Sequence, residues 1–323
     1  MSVLQELKEQ IRAALPELDM VLGWEQGFDA LHMRPLFIRT EKDLERLVLN
    51  PLCVHSLATY LPGLLRGAGN DKKVGLVVKG CDSRAVIQLV QEKLIPRDRV
   101  VMFGFGCNGI VSLQKLEAGA QGCTGIGSVE FAGDKVVLSA PDTKVELPFA
   151  EIRSGKCETC RYHNAIDADH FAGARVEEGT VPAKHPTLEE FEKLPLSERF
   201  AFWQEQMRRC VRCYACRNTC PMCVCRDHCI ATSRNPHWLT QESSTAENFM
   251  FQMIHVMHLT GRCVECGECE RACPLDIPLM LLRRSMNGVV RELFAYESGT
   301  DPDATPPLLT YQVEEETINE RGW

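Results

Sequence analysis

The sequence predicts an N-terminal α/β unit with a partly parallel sheet, followed by an all-α unit. Three observations carry that division. Two short apolar runs flank a helically spaced segment between residues 74 and 103. Long segments of helical spacing follow residue 197. Eleven of the 17 cysteines fall between positions 210 and 273. A chain of 323 residues suits two domains better than one. The expected boundaries are an α/β domain over 1–175, a linker over 176–196, a helical domain over 197–297 and a C-terminal arm over 298–323.

In the α/β part, Thr40 with Asp43 three positions on, ahead of Leu44, Leu47 and Val48, reads as a capped helix start. Val74–Val78 reads as a buried strand, Arg84–Leu94 as a helix and Arg99–Phe103 as a second strand. Strand, helix and strand in that order form a crossover, so the two strands should run parallel. Gly127–Pro148 reads as short strands with a hairpin turn at Gly133-Asp134. The stretch around Glu177–Pro195 carries Pro182, Pro186 and Pro195 and reads as the linker. Beyond it, Ser197 can cap a helix through Phe200, Phe202, Trp203 and Met207. Phe249, Phe251, Met253, Ile254 and Met257 mark a second helix, and Ile277–Leu293 a third. The last segment, with prolines and the acidic run Glu314–Glu316, reads as an extended or disordered arm.

Composition narrows the chemistry. Apolar residues make up 45%, enough for a core without disulfide staples. A net charge of −8 argues against nucleic acid, which calls for clustered Lys and Arg. The opening residues form a charged amphipathic helix rather than an apolar leader. No apolar run approaches the ~18 residues that span a bilayer. The expectation is therefore a cytoplasmic protein without a membrane span, in which so many cysteines imply metal.

The cysteines in the C-terminal third repeat one frame. Cys210, Cys213, Cys216 and Cys220-Pro221 match Cys263, Cys266, Cys269 and Cys273-Pro274 in every spacing. Two residues between thiolates let one turn wrap three corners of a cubane, and the fourth cysteine, followed by proline, points at the other cluster. Two [4Fe–4S] clusters follow, one on Cys210, Cys213, Cys216 and Cys273, the other on Cys263, Cys266, Cys269 and Cys220. One such frame is also a zinc spacing, but two intact copies with proline after each make zinc the poorer reading. The long, helix-like gap between the frames resembles the α-helical ferredoxin domain of succinate dehydrogenase iron–sulfur subunits and of the heterodisulfide reductase C subunit, over about residues 197–290. Arg208, Arg209, Arg212 and Arg217 flank the first frame, while Glu265, Glu268 and Glu270 flank the second. Positive charge favours the reduced cluster, which predicts the higher potential for the first.

Cys81 follows the Val74–Val78 strand and Cys107 follows the next. Parallel strands place both on the carboxyl edge of the sheet, where such sheets bind ligands. Cys157 and Cys160 bring the count to the four that a [4Fe–4S] cluster requires; the plain alternative is that Cys81 and Cys107 are buried packing residues. Gly80-Cys81, Cys107 and Cys157-x-x-Cys160 followed by Ala168-Asp169 and Gly173, in that order, resemble the beta subunit family of deazaflavin-reducing hydrogenases and formate dehydrogenases, over about residues 70–175. The resemblance implies a third [4Fe–4S] cluster on Cys81, Cys107, Cys157 and Cys160, an FAD, and electron passage between a carrier and a hydrogenase or dehydrogenase. Two departures bear on FAD. The family's longer C-terminal part is replaced here by the helical ferredoxin, and no Gly-x-Gly-x-x-Gly fingerprint occurs. The turn carrying Lys79, Gly80 and Arg84 can hold a flavin phosphate at its helix start or simply shape the cluster pocket.

Five cysteines remain. Cys223, Cys225 and Cys229 make a candidate additional site, with Cys123 or a non-cysteine donor as fourth ligand or as zinc with His228; otherwise they pack around the dicluster core. Cys53 reads as buried, and Cys123 sits in a turn that can approach the first-domain cluster. His255 and His258 read as packing groups beside the clusters. No residue set suggests bond-making chemistry. The sequence therefore predicts an iron–sulfur electron-transfer subunit that works with other subunits of an anaerobic redox complex. The alternative is a self-contained FAD-dependent reductase of a deazaflavin or similar carrier.

Overall fold

The computed structural model describes residues 1–66, 71–178, 184–225, 229–231, 239–240 and 242–311. Its first unit is a five-stranded sheet with strand order β2-β1-β3-β4-β8. The strands are β1 (Met20–Gln26), β2 (Met33–Ile38), β3 (Val74–Val78), β4 (Val100–Phe105) and β8 (His170–Ala172). β1, β3, β4 and β8 run parallel, and β2 joins the edge antiparallel to β1. Every residue of β3 is buried, as the unbroken run Val-Gly-Leu-Val-Val predicts for a parallel strand covered on both faces. The Gly80–Gln91 helix is the predicted crossover between β3 and β4. The Val3–Ala14 helix, capped by Ser2, buries Leu7 and Ile11 completely. Each such side chain contributes about 1.5–3 kcal/mol by leaving water.

The predicted capping box is present: Thr40 Oγ1 accepts from Asp43 N, while Asp43 accepts from Thr40 N. The helix it starts is short, Glu41–Leu44. The predicted hairpin is also present. β5 (Ser128–Ala132), β6 (Lys135–Ala140) and β7 (Thr143–Pro148) form an antiparallel meander. Gly133 takes a left-handed φ of 63° in the β5–β6 turn.

The second unit is helical. The helices Leu196–Arg209, Thr245–His258 and Leu279–Phe294 surround the two cysteine frames. Trp203, Met207, Phe251, Ile277, Leu279 and Met280 form their common core with Cys216 and Cys269. The Leu196–Arg209 helix starts from Pro195, so Ser197 lies inside its first turn rather than at the cap. Proline at that position ends the preceding extended chain and needs no donor.

Two expectations are corrected. The expected linker contains a helix, Pro186–Glu192, whose Leu188 joins the core of the helical unit. The expected arm is docked over its described part. Arg84 donates to Ser298 O at 2.8 Å, Gln91 to Ala304 O at 2.8 Å, and Tyr296 Oη to Gln88 at 2.9 Å. A Cβ on Gly299, at φ +69°, would lie 2.1 Å from Arg84 O, so the chain runs tight against the crossover helix there. The acidic run Glu314–Glu316 and His228 lie outside the described residues. The two units are further joined by Arg262, which forks onto Glu92 at 2.8 and 2.5 Å with both side chains largely buried.

Candidate iron–sulfur sites

Cys81 leaves β3 in the first turn of the Gly80–Gln91 helix, and Cys107 lies just past β4. In the parallel register Val78 faces Gly104, so both strands deliver their cysteines to one edge. The Gly155–Glu158 turn brings Cys157 there, with Cys160 just beyond. All four cysteines line one small cavity. Glycines permit the closure. A Cβ at Gly80 would lie 2.0 Å from Tyr162 O, in the loop that carries Cys160. Gly109, at φ +118°, leaves space that a Cβ would take from Arg153 Nε at 2.7 Å. Ile110 N donates to Cys157 Sγ at 3.5 Å, and Cys107 N donates to His163 O at 2.8 Å.

Burial pushes the Cys81 and Cys160 thiols up and the Cys107 thiol up to about 11. Lys79 and Lys156 work against that at Cys81. A bound metal group deprotonates its thiols outright, which reverses the effect of burial. Four convergent thiols with cations behind them are the donor set of a [4Fe–4S] group, and the residues fit it.

The turn expected to hold a flavin phosphate is occupied by the protein itself. Lys79, 3% exposed, pairs with Asp82 at 2.9 Å and stands 4.2 Å over the Trp24 ring. Arg84, 5% exposed, is spent on Ser298 O and on the Tyr162 ring at 4.2 Å. Asp82 places its own carboxylate at the helix start, accepting from Lys79 N. Lys79 and Gly80 thus line the cysteine pocket, and Arg84 lines the cavity beside it.

The two C-terminal frames fold alike. Arg212 and Tyr214 have φ of 48° and 61°; the matching Glu265 and Gly267 have 56° and 69°. Each frame then enters a one-turn helix, Ala215–Asn218 or Glu268–Arg271. Left-handed residues between thiols fold the chain around a centre and turn backbone donors toward sulfur: Arg212 N lies 3.4 Å from Cys210 Sγ. Burial first, and Cys273 after it, raises both Cys210 and Cys216. Burial first, and Cys220 among the neighbours after it, raises Cys263, Cys266 and Cys269. Cys273 packs in one core with Cys210 and Cys216, and Cys220 in the other with Cys263 and Cys266. The donor sets of both frames fit two [4Fe–4S] groups. Among the described residues, no three His, Cys, Asp or Glu side chains gather at the spacing of a single ion.

The charge contrast between the frames is partly cancelled. Glu265 pairs with Arg291 at 3.1 Å, and Glu268 with Arg271 at 2.8 Å and Lys156 at 3.3 Å. On the other side Arg208 is held by Glu205 at the surface and Arg212 by Glu247. Arg209 and Arg217 instead donate to Leu275 O and Cys225 O, so part of the contrast remains.

The candidate site at Cys223, Cys225 and Cys229 is not assembled among the described residues. Cys223 packs beside Cys220 at the margin of the first core, Cys225 is exposed, and Cys229 lies in the core of the helical unit. Cys123 is buried at the end of the Leu113–Gly119 helix, away from the cavity of the four first-domain cysteines. Cys53 is buried as expected, and burial raises its thiol to about 11. His258 is exposed, whereas His255 is 5% exposed. Arg283, which can only donate, holds His255 Nδ1 at 2.8 Å, so Nε2 carries the proton and donates to Cys223 Sγ at 3.2 Å.

Sequence reasoning missed two enclosed cations, Lys156, largely buried, and Arg283, 2% exposed. The signals were present: a lysine immediately before Cys157, and an arginine on the apolar face of Leu279–Phe294, between Met280 and Asn287.

Residues 209–277 match the 4Fe-4S dicluster domain model. The chain is 24% identical to the F420-dependent formate dehydrogenase subunit beta of Methanocaldococcus jannaschii, over 91% of this chain and 90% of that protein. It is 24% identical to the F420-dependent formate dehydrogenase 1 subunit beta of Methanococcus maripaludis, over 90% and 89%. A chain in the F420-reducing [NiFe] hydrogenase complex from Methanosarcina barkeri aligns with a TM-score of 0.39 at 16% identity, covering 50% of this chain and 62% of that one. The match to the formate dehydrogenase subunits runs through most of both units of this chain. The protein carries a 4Fe-4S dicluster domain at residues 209–277 and is similar, over nine tenths of its length, to formate dehydrogenase beta subunits.

Proposed function

We propose that this chain is the iron–sulfur electron-transfer subunit of an anaerobic redox complex, working beside a formate dehydrogenase, hydrogenase or heterodisulfide-reductase-like partner in the cytoplasm. The observation that carries the reading is the doubled cysteine frame, folded twice into the same left-handed wrap, beside a third convergent set of four cysteines. The [4Fe–4S] groups supply one-electron transfer. The chain's residues do the holding and the tuning. Cys210, Cys213, Cys216 and Cys273 hold one group; Cys263, Cys266, Cys269 and Cys220 hold the second; Cys81, Cys107, Cys157 and Cys160 hold the third. Gln252 Nε2, 3.7 Å from Cys216 Sγ, and the Ile110 amide at Cys157 donate toward sulfur, which favours the more negative state.

One feature favours the second reading, a self-contained reductase with FAD. A cleft of about 580 Å³ opens beside Cys160, lined by Arg161, Lys184, Arg284 and Arg291 together with Glu192, Glu265 and Glu292. Its size suits a flavin, and a flavin phosphate there would displace Glu192 from Lys184 or Glu265 from Arg284 and Arg291.

Iron, acid-labile sulfide and flavin content of the anaerobically purified chain test both readings. About twelve irons per chain without flavin are expected for the subunit. About eight would remove the first-domain group. Stoichiometric FAD with reductase activity in the isolated chain would favour the second reading.

A further inference from the structure

The first-domain cysteines and the second frame face one another across a buried lysine. Cys81, Cys157 and Cys160 share a cavity with Val264 and Cys266, and Lys156 lines it. Neither cavity at the first-domain set is lined by Cys210, Cys213, Cys216 or Cys273. Lys156 Nζ donates to Cys266 O at 2.5 Å and pairs with Glu268 at 3.3 Å. Glu268 is 1% exposed and is also held by Arg271.

The second frame is built to admit this lysine. Tyr214 and Gly267 occupy the same position of the repeat with nearly the same φ, 61° and 69°. The backbone therefore tolerates a side chain there. At Gly267, however, a Cβ would lie 2.6 Å from Lys156 Cδ. Glycine stands at this position because the lysine stem passes over it.

Arg283 holds the matching place between the two frames. It is 2% exposed and fixed by His255 O and Nδ1, both at 2.8 Å. One turn before it Met280 Sδ lies 3.9 Å from Cys269 Sγ, and one turn after it Asn287 donates to Cys263 O at 2.8 Å. On the facing helix Gln252 reaches Cys216.

We propose that the three cysteine sets form one electron path with the Cys263 frame as its middle station, and that a buried cation holds each gap, Lys156 in the first and Arg283 in the second. The proposal rests on the three-cluster reading above. Each step moves one electron from a site that is oxidised by one to a site that is reduced by one, and no bond forms or breaks. A cation between two stations favours the reduced form of both, so each site passes an electron on without a deep trap. Lys156 and Arg283 are positioning residues: they touch the protein around the ligands and act through charge.

The test is an EPR-monitored redox titration of the full chain, loaded anaerobically, with iron counted in every sample. Cys160→Ser and Cys213→Ser assign the signals of the first-domain and first-frame sites. Lys156→Gln is expected to disfavour reduction about tenfold, ~59 mV, at the first-domain and middle sites, and to leave the Cys210 frame unmoved. Arg283→Gln should move the two C-terminal sites and spare the first-domain one. Lys156→Arg and Arg283→Lys, which keep the charge, should restore the potentials. Equal shifts at all three sites, no shift, or the same shifts with charge kept would overturn the proposal. Loss of iron in both variants at a position, the charge-keeping one included, would also overturn it there, since the residue would then act as a structural plug. Eight irons in the unaltered chain would instead overturn the three-cluster reading, leaving the Arg283 test in force.

Discussion

The first-domain cysteines and the C-terminal frames reach the same donor count by opposite routes. The frames are local: three thiols of each lie within seven residues, and two left-handed positions wrap them. Only the fourth ligand, which we propose is exchanged between the frames, is non-local. The first-domain set draws Cys81, Cys107, Cys157 and Cys160 from three separate segments, and only the parallel pairing of β3 with β4 brings them to one edge. A local frame should tolerate damage elsewhere, whereas an assembled set should fail whenever its scaffold shifts.

The sharpest way to break that contrast is Cys273→Ser. Cross-ligation predicts loss of about four irons and of the EPR signal of the Cys210 frame, with the Cys263-frame signal retained. Loss of the Cys263-frame signal instead would show that each frame keeps its own fourth cysteine.

Gly80→Ala comes next. The added Cβ meets backbone, Tyr162 O, which cannot swing aside. We expect the first-domain site to lose its iron and the melting temperature to fall, by the ~1–3 kcal/mol typical of overpacking or somewhat more. Both C-terminal signals should persist. Their loss would mean that the frames lean on the first domain.

Arg262→Ala probes how the units are joined. It leaves Glu92 half-paired in a largely buried place, at a cost of about 2–3 kcal/mol. Urea unfolding should separate into two transitions while all iron is retained before the first; a single unchanged transition would place the coupling elsewhere.

Thr40→Ala should do least. Losing the cap of the Glu41–Leu44 helix costs about 1 kcal/mol, read as a lower urea midpoint. No cysteine set should respond, and an iron deficit here would dispute the division between scaffold and site.

Much of this was legible residue by residue. The β3 run was readable because five successive apolar residues suit only a strand covered on both faces, and the Thr40 cap because its partner lies three residues away. The docking of Ser298–Ala304 was not legible. It depends on Arg84 and Gln91, distant in sequence, and its own composition of proline and acid argues for an unanchored arm. The surroundings of Lys79 were hidden for a related reason. A helix start beside a lysine invites an anion, but Asp82 and the Cys53 and His55 carbonyls had already taken both the charge and the space.

By itself the sequence determined the chemistry of the dicluster domain, because a cubane fixes thiol spacing along the chain and that spacing survives any packing of the units. The tertiary structure alone decided how the cysteine sets face one another and which charges stand between them. Lys156 lies beside Cys157 in the chain, yet its ammonium belongs to Cys266 and Glu268, 110 and 112 residues away. Arg283 is held by His255, on the helix whose Gln252 reaches Cys216, while Met280 and Asn287 of its own helix reach Cys269 and Cys263. Electrostatic fields act through space, so the residues that set them are found where the fold puts them.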